Sequence, residues 1–96
     1  MNPDDKIIDK MESVLNIMSD FTRLKIMYAI KGKERNVGEI VLEVGASQSL
    51  VSHQLKVLRK ANLVDVRKEG TKVFYKLADE HVFQLLDICE AHVREE

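Results

Sequence analysis

Apolar residues recur every three or four positions in four stretches of this chain, which is the pattern of helices that turn one face to a core. The stretches predict helices from about residue 4 to 18, 20 to 30, 36 to 44 and 47 to 61. Asn36 and Ser47 belong to the residue types that cap helix starts. Gly32 and Asn62 belong to the types that favour helix ends. The turn Gly45-Ala46 leaves only a short connection between the third and fourth helices.

After these helices the pattern changes to one that is typical of strands. Residues 63 to 67 and 72 to 77 predict two strands, joined by a hairpin loop at residues 68 to 71 that contains Gly70. A last helix is predicted from Asp79, a good N-cap residue, to about residue 95. Its apolar stripe consists of Val82, Leu85, Leu86, Cys89 and Val93.

The order of these elements predicts one winged helix-turn-helix domain over residues 1 to 96. The fold class is mainly α within α+β, with about five helices and a two-stranded β-hairpin. The helix-turn-helix covers about residues 36 to 62, and the basic hairpin at about residues 63 to 78 is the wing.

The size and composition of the chain set further limits. Ninety-six residues are below the size at which a single core is comfortably stable, so burial of surface in a homodimer would help. The one cysteine, Cys89, excludes an intramolecular disulfide, which fits a cytosolic protein. No apolar run reaches the ~18 residues of a membrane span, and the polar N-terminus does not resemble a signal peptide. We therefore expect a soluble, cytoplasmic protein with no membrane partner.

The charged residues are strongly segregated, although the net charge is only -1. Residues 52 to 78 contain seven basic and two acidic residues, a net charge of +5. Residues 79 to 96 contain one basic and six acidic residues, a net charge of -5. A cationic middle indicates a polyanion surface and an anionic end indicates a cation site, although two solvated faces would give the same distribution.

The second helix of the helix-turn-helix has the side chains that sequence recognition in a DNA major groove requires. Short polar residues stand at its start, namely Gln48, Ser49, Ser52, His53 and Gln54, and Lys56 follows. Glutamine can bond an adenine edge, and serine can bond bases or phosphates. On the wing, Arg67, Lys68 and Lys72 flank the loop where backbone phosphate would lie. The alternative for Gln48 and Ser49 is that they are ordinary first-turn residues.

Four potential metal ligands lie almost symmetrically about the middle of the last helix: Asp79, His81, His92 and Glu95. Eleven residues separate the two histidines, which places them ~16 Å apart along a helix axis at nearly the same angle. One helix therefore cannot close a site. Two copies packed antiparallel and crossing near Asp87 would bring each end of one helix to the opposite end of the other, giving two sites per homodimer.

Each of these four residues also has a structural explanation. Asp79 can act as the N-cap and His81 as an ordinary first-turn residue. His92 is a favourable cation near a helix C-terminus, and Glu95 can be tail charge. Their joint spacing, on a helix whose apolar stripe needs a partner, favours metal binding.

Three segments together resemble the ArsR/SmtB family of winged-helix metal-sensing repressors. They are Asp20-Phe21-Thr22-Arg23-Leu24-Lys25-Ile26, the run from Ser47 through Ser52-His53-Gln54-Leu55 to Leu58, and Gly70 with Phe74-Tyr75-Lys76-Leu77. The resemblance implies a homodimer that binds a palindromic operator DNA when metal-free and leaves it when metal binds. Family members with a Cys-x-Cys in the first helix of the helix-turn-helix sense metals through thiolates, but residues 37 to 44 contain no cysteine.

Another class in the family senses zinc on the last helix, through Asp-x-His, ten residues, then His-x-x-Glu. Asp79, His81, His92 and Glu95 match that pattern, so the resemblance implies that the helix at about residues 79 to 95 serves both dimerisation and metal binding. Two imidazoles and two carboxylates suit Zn(II), with Co(II) as the alternative. Relatives that prefer nickel or cobalt tend to add ligands from a chain end, and neither tail here contains a histidine, so zinc is favoured.

Three other classes of function compete with the metal-responsive repressor. One is a protein-interaction module that uses the same fold without DNA, and a steep salt dependence of operator binding would argue against it. An enzyme is disfavoured, because no acid and base pair, nucleophile triad, phosphate loop or open three-ligand zinc motif is present. A winged-helix repressor that does not respond to metal would be relieved by a small molecule, a redox signal or a protein partner. A redox signal would require Cys89 to pair with its copy across the dimer, since the chain has no second thiol.

Overall fold

Residues 2 to 95 are described by this computed structural model, and they form five helices and three strands. The helices are α1 (Asp5–Met18), α2 (Phe21–Ala29), α3 (Val37–Val44), α4 (Gln48–Lys60) and α5 (Glu80–Arg94). The strands are β1 (Arg35–Asn36), β2 (Val64–Glu69) and β3 (Lys72–Leu77). The predicted winged helix-turn-helix is confirmed, with α3 and α4 as the helix pair and β2 and β3 as the wing.

Capping side chains determine where the helices start. Asn36 forms a capping box with Glu39, in which each side chain bonds the other residue's backbone N–H at 2.9 Å. Ser47 accepts a hydrogen bond from the backbone of Leu50, and Asp79 caps α5 in the same way through Val82. The predicted caps at residues 36, 47 and 79 are therefore confirmed.

The end of α4 is fixed by Asn62, which adopts a left-handed conformation with φ of 60°. The backbone N–H of Leu63 bonds the carbonyl of Leu58, and that of Asn62 bonds the carbonyl of Arg59, which is the Schellman arrangement. Leu63, only 3% exposed, anchors this turn in the core. The sequence prediction that Asn62 ends the helix is confirmed.

The wing differs from the sequence prediction in two details. Its strands continue to Glu69 and begin again at Lys72, so the connection is the two-residue turn Gly70-Thr71 instead of a four-residue loop. Gly70 has φ of 62°, as a tight hairpin turn of the II′ type requires at its first central position. In addition, Arg35 and Asn36 pair with β3 as a third antiparallel strand, giving the sheet order β1-β3-β2. A two-residue strand is too short to leave an alternating pattern in the sequence.

The core lies where α2, α3 and α4 pack together and against the sheet. Its fully buried side chains include Ile26, Met27, Ile30, Ile40, Val51, Leu55, Leu58 and Val64. Met18 and Met27 are buried in this core, whereas Met11 is 51% exposed, because its face of α1 points away from the protomer core. No helix within residues 2 to 95 combines the length and hydropathy needed to cross a membrane.

Candidate nucleic-acid interface and metal centre

The buried face of α4 determines which of its side chains point outwards. Val51, Leu55 and Leu58 are at most 1% exposed and lie against the core. The opposite, exposed face contains most of the helix residues predicted to contact DNA, namely Gln48, Ser49, Ser52, His53 and Lys56. Arg59 and Lys60 are exposed at the end of the same helix. This side of the domain is therefore a polar and cationic surface on one exposed helix, which suits a major groove.

Gln54 differs from the other predicted DNA contacts on α4 because it is half-buried and already bonded. Its amide oxygen accepts a hydrogen bond of 2.5 Å from Nε of Arg23 on α2. The same guanidinium donates to the carbonyl of Ile17 in α1, at 3.2 Å. Arg23 was not among the predicted site residues, and no local pattern could have indicated a bond across 31 residues.

Lys68 and Lys72 are exposed on the wing, on either side of the turn at Gly70. Lys72 pairs with Glu69 as the last pair before the turn, and Lys68 pairs with Val73, so the two lysines lie on opposite faces of the hairpin near its tip. Exposed cations near a hairpin tip are suited to bonding DNA phosphates.

Arg67, the third predicted wing contact, is held by two carboxylates. Its guanidinium donates to both oxygens of Glu34, at 2.9 to 3.2 Å, and to Glu69 at 2.8 Å, and it lies 4.9 Å from the ring of Phe74. These hydrogen bonds hold the pKa of Glu34 below its ordinary value and raise that of Arg67. Arg67 thus joins the wing to the segment before β1, and its role as a DNA contact stays a prediction.

Asp79 and His81 form one half of the candidate metal centre at the start of α5. Nδ1 of His81 lies 3.5 Å from Oδ1 of Asp79, and their side chains are 92% and 55% exposed. The same Oδ1 accepts the capping hydrogen bond from Val82, at 3.1 Å. The second carboxylate oxygen and an almost fully exposed imidazole remain, which are two donors of the kinds that zinc accepts.

His92 and Glu95 form the other half, at the opposite end of α5, where both are exposed. They lie one turn apart, and the backbone N–H of Glu95 bonds the carbonyl of His92. Within residues 2 to 95 no three side chains from histidine, cysteine, aspartate or glutamate cluster closely enough to hold a metal ion. Each end of α5 therefore offers one pair of potential donors.

The apolar stripe of α5 divides between two surfaces. Val82 and Leu86 are buried against the protomer, whereas Leu85 is 40% exposed and Cys89 is exposed. Ile88, which the predicted stripe did not include, is 67% exposed at the middle of the helix. On α1, Ile7, Ile8, Met11 and Leu15 are each about half exposed. Leu85 lines a single apolar groove together with Ile7, Met11 and Leu15, so the exposed faces of α1 and α5 form one continuous surface.

Comparison with known proteins places this geometry in a family. Residues 20–66 match the model of a family described as bacterial regulatory protein, arsR family. The chain is 38% identical over 84 residues to the HTH-type transcriptional regulator KmtR of Mycobacterium tuberculosis, covering 88% of this chain and 64% of that protein. It is 37% identical over 83 residues to a cadmium resistance transcriptional regulatory protein CadC homolog of Staphylococcus aureus, covering 85% of this chain and 69% of that protein.

A solved structure with the same fold is the homodimeric winged helix-turn-helix DNA-binding domain of Mb0332 from Mycobacterium bovis, described as a possible ArsR-family transcriptional regulator. It superposes with a TM-score of 0.88 at 27% identity, covering 98% of this chain and 90% of that chain. The present chain spans just under two thirds of the length of the M. tuberculosis regulator. Sequence identity over most of the chain, together with the shared winged-helix fold, shows that this chain belongs to the arsR family of bacterial regulatory proteins.

Proposed function

We propose that this protein is a transcriptional repressor whose homodimer binds a palindromic operator in double-stranded DNA and is released when Zn(II) binds between the two copies of α5. The observation that carries the proposal is the arrangement of α5. Asp79 with His81 at one end and His92 with Glu95 at the other are exposed donor pairs, each too small to hold zinc alone.

The DNA-binding half of the proposal rests on the exposed face of α4 and on the wing. Gln48, Ser49, Ser52 and His53 are available for base edges, and Lys56 for phosphate. Lys68 and Lys72 contact phosphate from the wing tip, while the guanidinium of Arg67 orients the wing. The family is one of regulatory proteins, and this supports a regulator in preference to an enzyme.

The homodimer rests on the exposed apolar faces of α1 and α5. A 96-residue chain that leaves Leu15, Leu85 and Ile88 substantially exposed gains stability by covering them. The relative from M. bovis is homodimeric. Two copies of α5 crossing antiparallel near Asp87, beside the exposed Ile88, bury this surface and bring opposite helix ends together.

In that arrangement, Asp79 and His81 of one protomer lie beside the second protomer's copies of His92 and Glu95. Two imidazoles and two carboxylates complete a closed tetrahedral set, which suits a sensing site. Zinc or cobalt fits these donors better than a thiolate-seeking ion, because the only cysteine of the chain lies elsewhere on α5. A relative named for cadmium resistance supports a metal effector in this branch of the family.

Zinc at these sites joins both ends of the crossed helices, and this changes the dimer's fit to DNA. Recognition helices on a palindrome must stand about one DNA turn, ~34 Å, apart. A zinc-bound dimer that holds another separation binds the operator more weakly, and DNA weakens zinc binding by the same factor.

One observation favours the alternative, a repressor relieved by a small molecule. Leu24, Tyr28, Leu86, Cys89 and Val93 line an open, largely apolar cavity of about 640 Å³ between α2 and α5. A ligand bound there would move α5 without any metal. This repressor would have the same DNA surface but an operator affinity that is independent of zinc.

The two functions are separated by an anisotropy titration of a labelled palindromic DNA. The operator affinity of the metal-free dimer should fall when stoichiometric zinc is added and recover with chelator. His81→Gln should abolish that response without loss of stability, since this side chain is 92% exposed. Glu80→Gln, an exposed carboxylate change on the adjacent residue, should keep the response. Operator affinity that zinc leaves unchanged in the unmodified protein would establish the metal-independent alternative.

A further inference from the structure

Helix α2 makes one side-chain hydrogen bond to the helix that faces DNA and another to the helix with the metal ligands. In its first turn, Nε of Arg23 bonds Gln54 of α4. Near its end, the hydroxyl of Tyr28 bonds α5. Between them, Ile26 and Met27 are completely buried, so α2 is held firmly in the core.

The contact between Tyr28 and α5 has two acceptors for one hydroxyl. The oxygen of Tyr28 lies 2.7 Å from Oε1 of Glu90 and 3.1 Å from the carbonyl of Leu86. Glu90 also accepts a hydrogen bond of 2.7 Å from Arg94, one turn further along α5. A bond to an ionised acceptor is among the stronger kinds. Tyr28 therefore fixes the second half of α5, next to the turn that contains His92.

A second polar contact fixes the middle of the same helix. Nζ of Lys31, just beyond α2, lies 2.5 Å from the carboxylate of Asp87 and 4.5 Å from the centre of the Phe83 ring. Val82 and Leu86 are the buried residues of α5. Phe83 also packs against the core, so these polar contacts add to the apolar packing that positions α5 on the domain.

The contact between Arg23 and α4 acts on the DNA-facing side. Gln54 follows His53 on α4, and its amide is oriented by the guanidinium of Arg23. The carbonyl of Ile17 holds the other side of that guanidinium. A change in the position of α2 therefore changes the orientation of a side chain on the recognition helix.

We propose that α2 connects the C-terminal helix to the DNA-facing helix within each protomer, with Tyr28 and Arg23 as its positioning residues. The proposal rests on the proposed function, because it assigns the path by which a change at α5 reaches α4. Tyr28 touches neither the four donor residues nor the exposed face of α4. It acts by making α5 and α2 move together.

The test compares Tyr28→Phe with Tyr75→Phe. Tyr75 lies on β3, and its hydroxyl makes no hydrogen bond to another residue between 2 and 95, so both variants lose the same atom. For each protein, operator affinity is measured without and with zinc, and cobalt affinity is measured by absorbance.

The zinc-dependent ratio is the operator affinity without zinc divided by that with zinc. In Tyr28→Phe this ratio should fall about tenfold, the size of effect expected for a hydrogen bond to a charged group. Metal-free operator affinity and cobalt affinity should change little. Tyr75→Phe should keep the full ratio. The proposal would be overturned if Tyr28→Phe kept the wild-type ratio of operator affinities, or if the ratio fell equally in both variants.

The order of the two contacts gives a second signature. Arg23→Lys keeps the charge but removes the Nε donor to Gln54, and it should lower the same ratio. If both contacts lie on one path, the double variant Arg23→Lys/Tyr28→Phe should lose no more than the more affected single variant. Effects that multiply would show two separate routes and overturn the single path.

A measurement without metal or DNA keeps this inference distinct from the proposed function. Hydrogen exchange in metal-free Tyr28→Phe should be faster in α5 and also faster, by roughly threefold or more, in residues 48–60 of α4, because local openings propagate through contacting elements. Exchange that rises in α5 alone would refute the connection whatever zinc does. A different result is that the operator affinity of the wild-type protein proves independent of zinc while Tyr28→Phe still speeds exchange in both α5 and α4. That result would support the connection through α2 and refute the zinc response.

Discussion

The wing offers a quantitative prediction about the salt dependence of DNA binding, because its neighbouring cations Arg67 and Lys68 differ in their contacts with carboxylates. Lys68 is exposed, whereas Arg67 makes hydrogen bonds of 2.8 to 3.2 Å to Glu34 and Glu69. Each lost phosphate contact lowers the slope of log affinity against log salt by ~0.9. A homodimer has two wings, so Lys68→Gln should lower the slope by ~1.8. Arg67→Gln should lower the slope by clearly less than ~0.9.

The assay is fluorescence anisotropy of a labelled operator with metal-free protein, repeated between about 50 and 200 mM salt. Thermal unfolding of each variant provides the control, because Arg67→Gln removes exposed ion pairs to Glu34 and Glu69 and should lower the unfolding temperature slightly. Lys68→Gln should leave unfolding unchanged. Equal losses of slope in the two variants would show that the guanidinium leaves its carboxylates for phosphate. No change with Lys68→Gln would show that the wing does not reach the DNA.

Three further predictions concern assembly, backbone strain and pH. Ile88→Glu should give a monomer in sedimentation velocity, because it places a charge in the apolar face of α5. The control Leu42→Glu should leave the dimer intact, because the side chain of Leu42, on α3, is 85% exposed. Gly45 has φ of 73°, so Gly45→Ala should lower the free energy of unfolding by ~1 kcal/mol in urea titrations, while Gly38→Ala, inside α3, should not. Burial, followed by the hydrogen bond to a carboxylate, raises the pKa of Tyr28 from 10.0 to about 12. The neutral phenol is therefore favoured in the folded state, and its contribution to stability should be complete below pH ~10 and lost between about 10 and 12. A pH titration of tyrosinate absorbance should show a step near 12, and Tyr28→Phe should remove that step.

The sequence predicted the helices and wing because the signals for these elements are local. A capping side chain and the N–H that it bonds lie three residues apart, as with Asn36 and Glu39, so the sequence alone indicates the boundary. The strand β1 was missed because two residues form it only by pairing with Tyr75 and Phe74 of β3.

The partners of the functional side chains could not be predicted in the same way. Gln54 and Arg67 have the composition and position of DNA contacts, but their bonding partners Arg23 and Glu34 lie 31 and 33 residues away in the chain. Only the packing of α2 against α4, and of the wing against the segment before β1, brings these groups together. The same holds for Tyr28, whose contact with Glu90 spans 62 residues.

The donor residues of α5 were accessible to sequence analysis because helix periodicity alone relates them. The turn at Asp79 and His81 brings two donors within 3.5 Å, as the spacing suggests. The proposed association of two chains uses the exposed faces of α1 and α5 together, and the sequence displays those only as two separate stripes.

Subunit mixing tests the shared metal site most directly. His81→Gln and His92→Gln each damage every site in their own homodimers, but a mixed dimer regains one intact site from the two unaltered halves. After the two variants are unfolded and refolded together, about half of the dimers should be mixed, and the tetrahedral Co(II) absorbance should return to about a quarter of the wild-type signal. A mixture that absorbs no more than the two variants measured separately would contradict a metal ion held between two protomers.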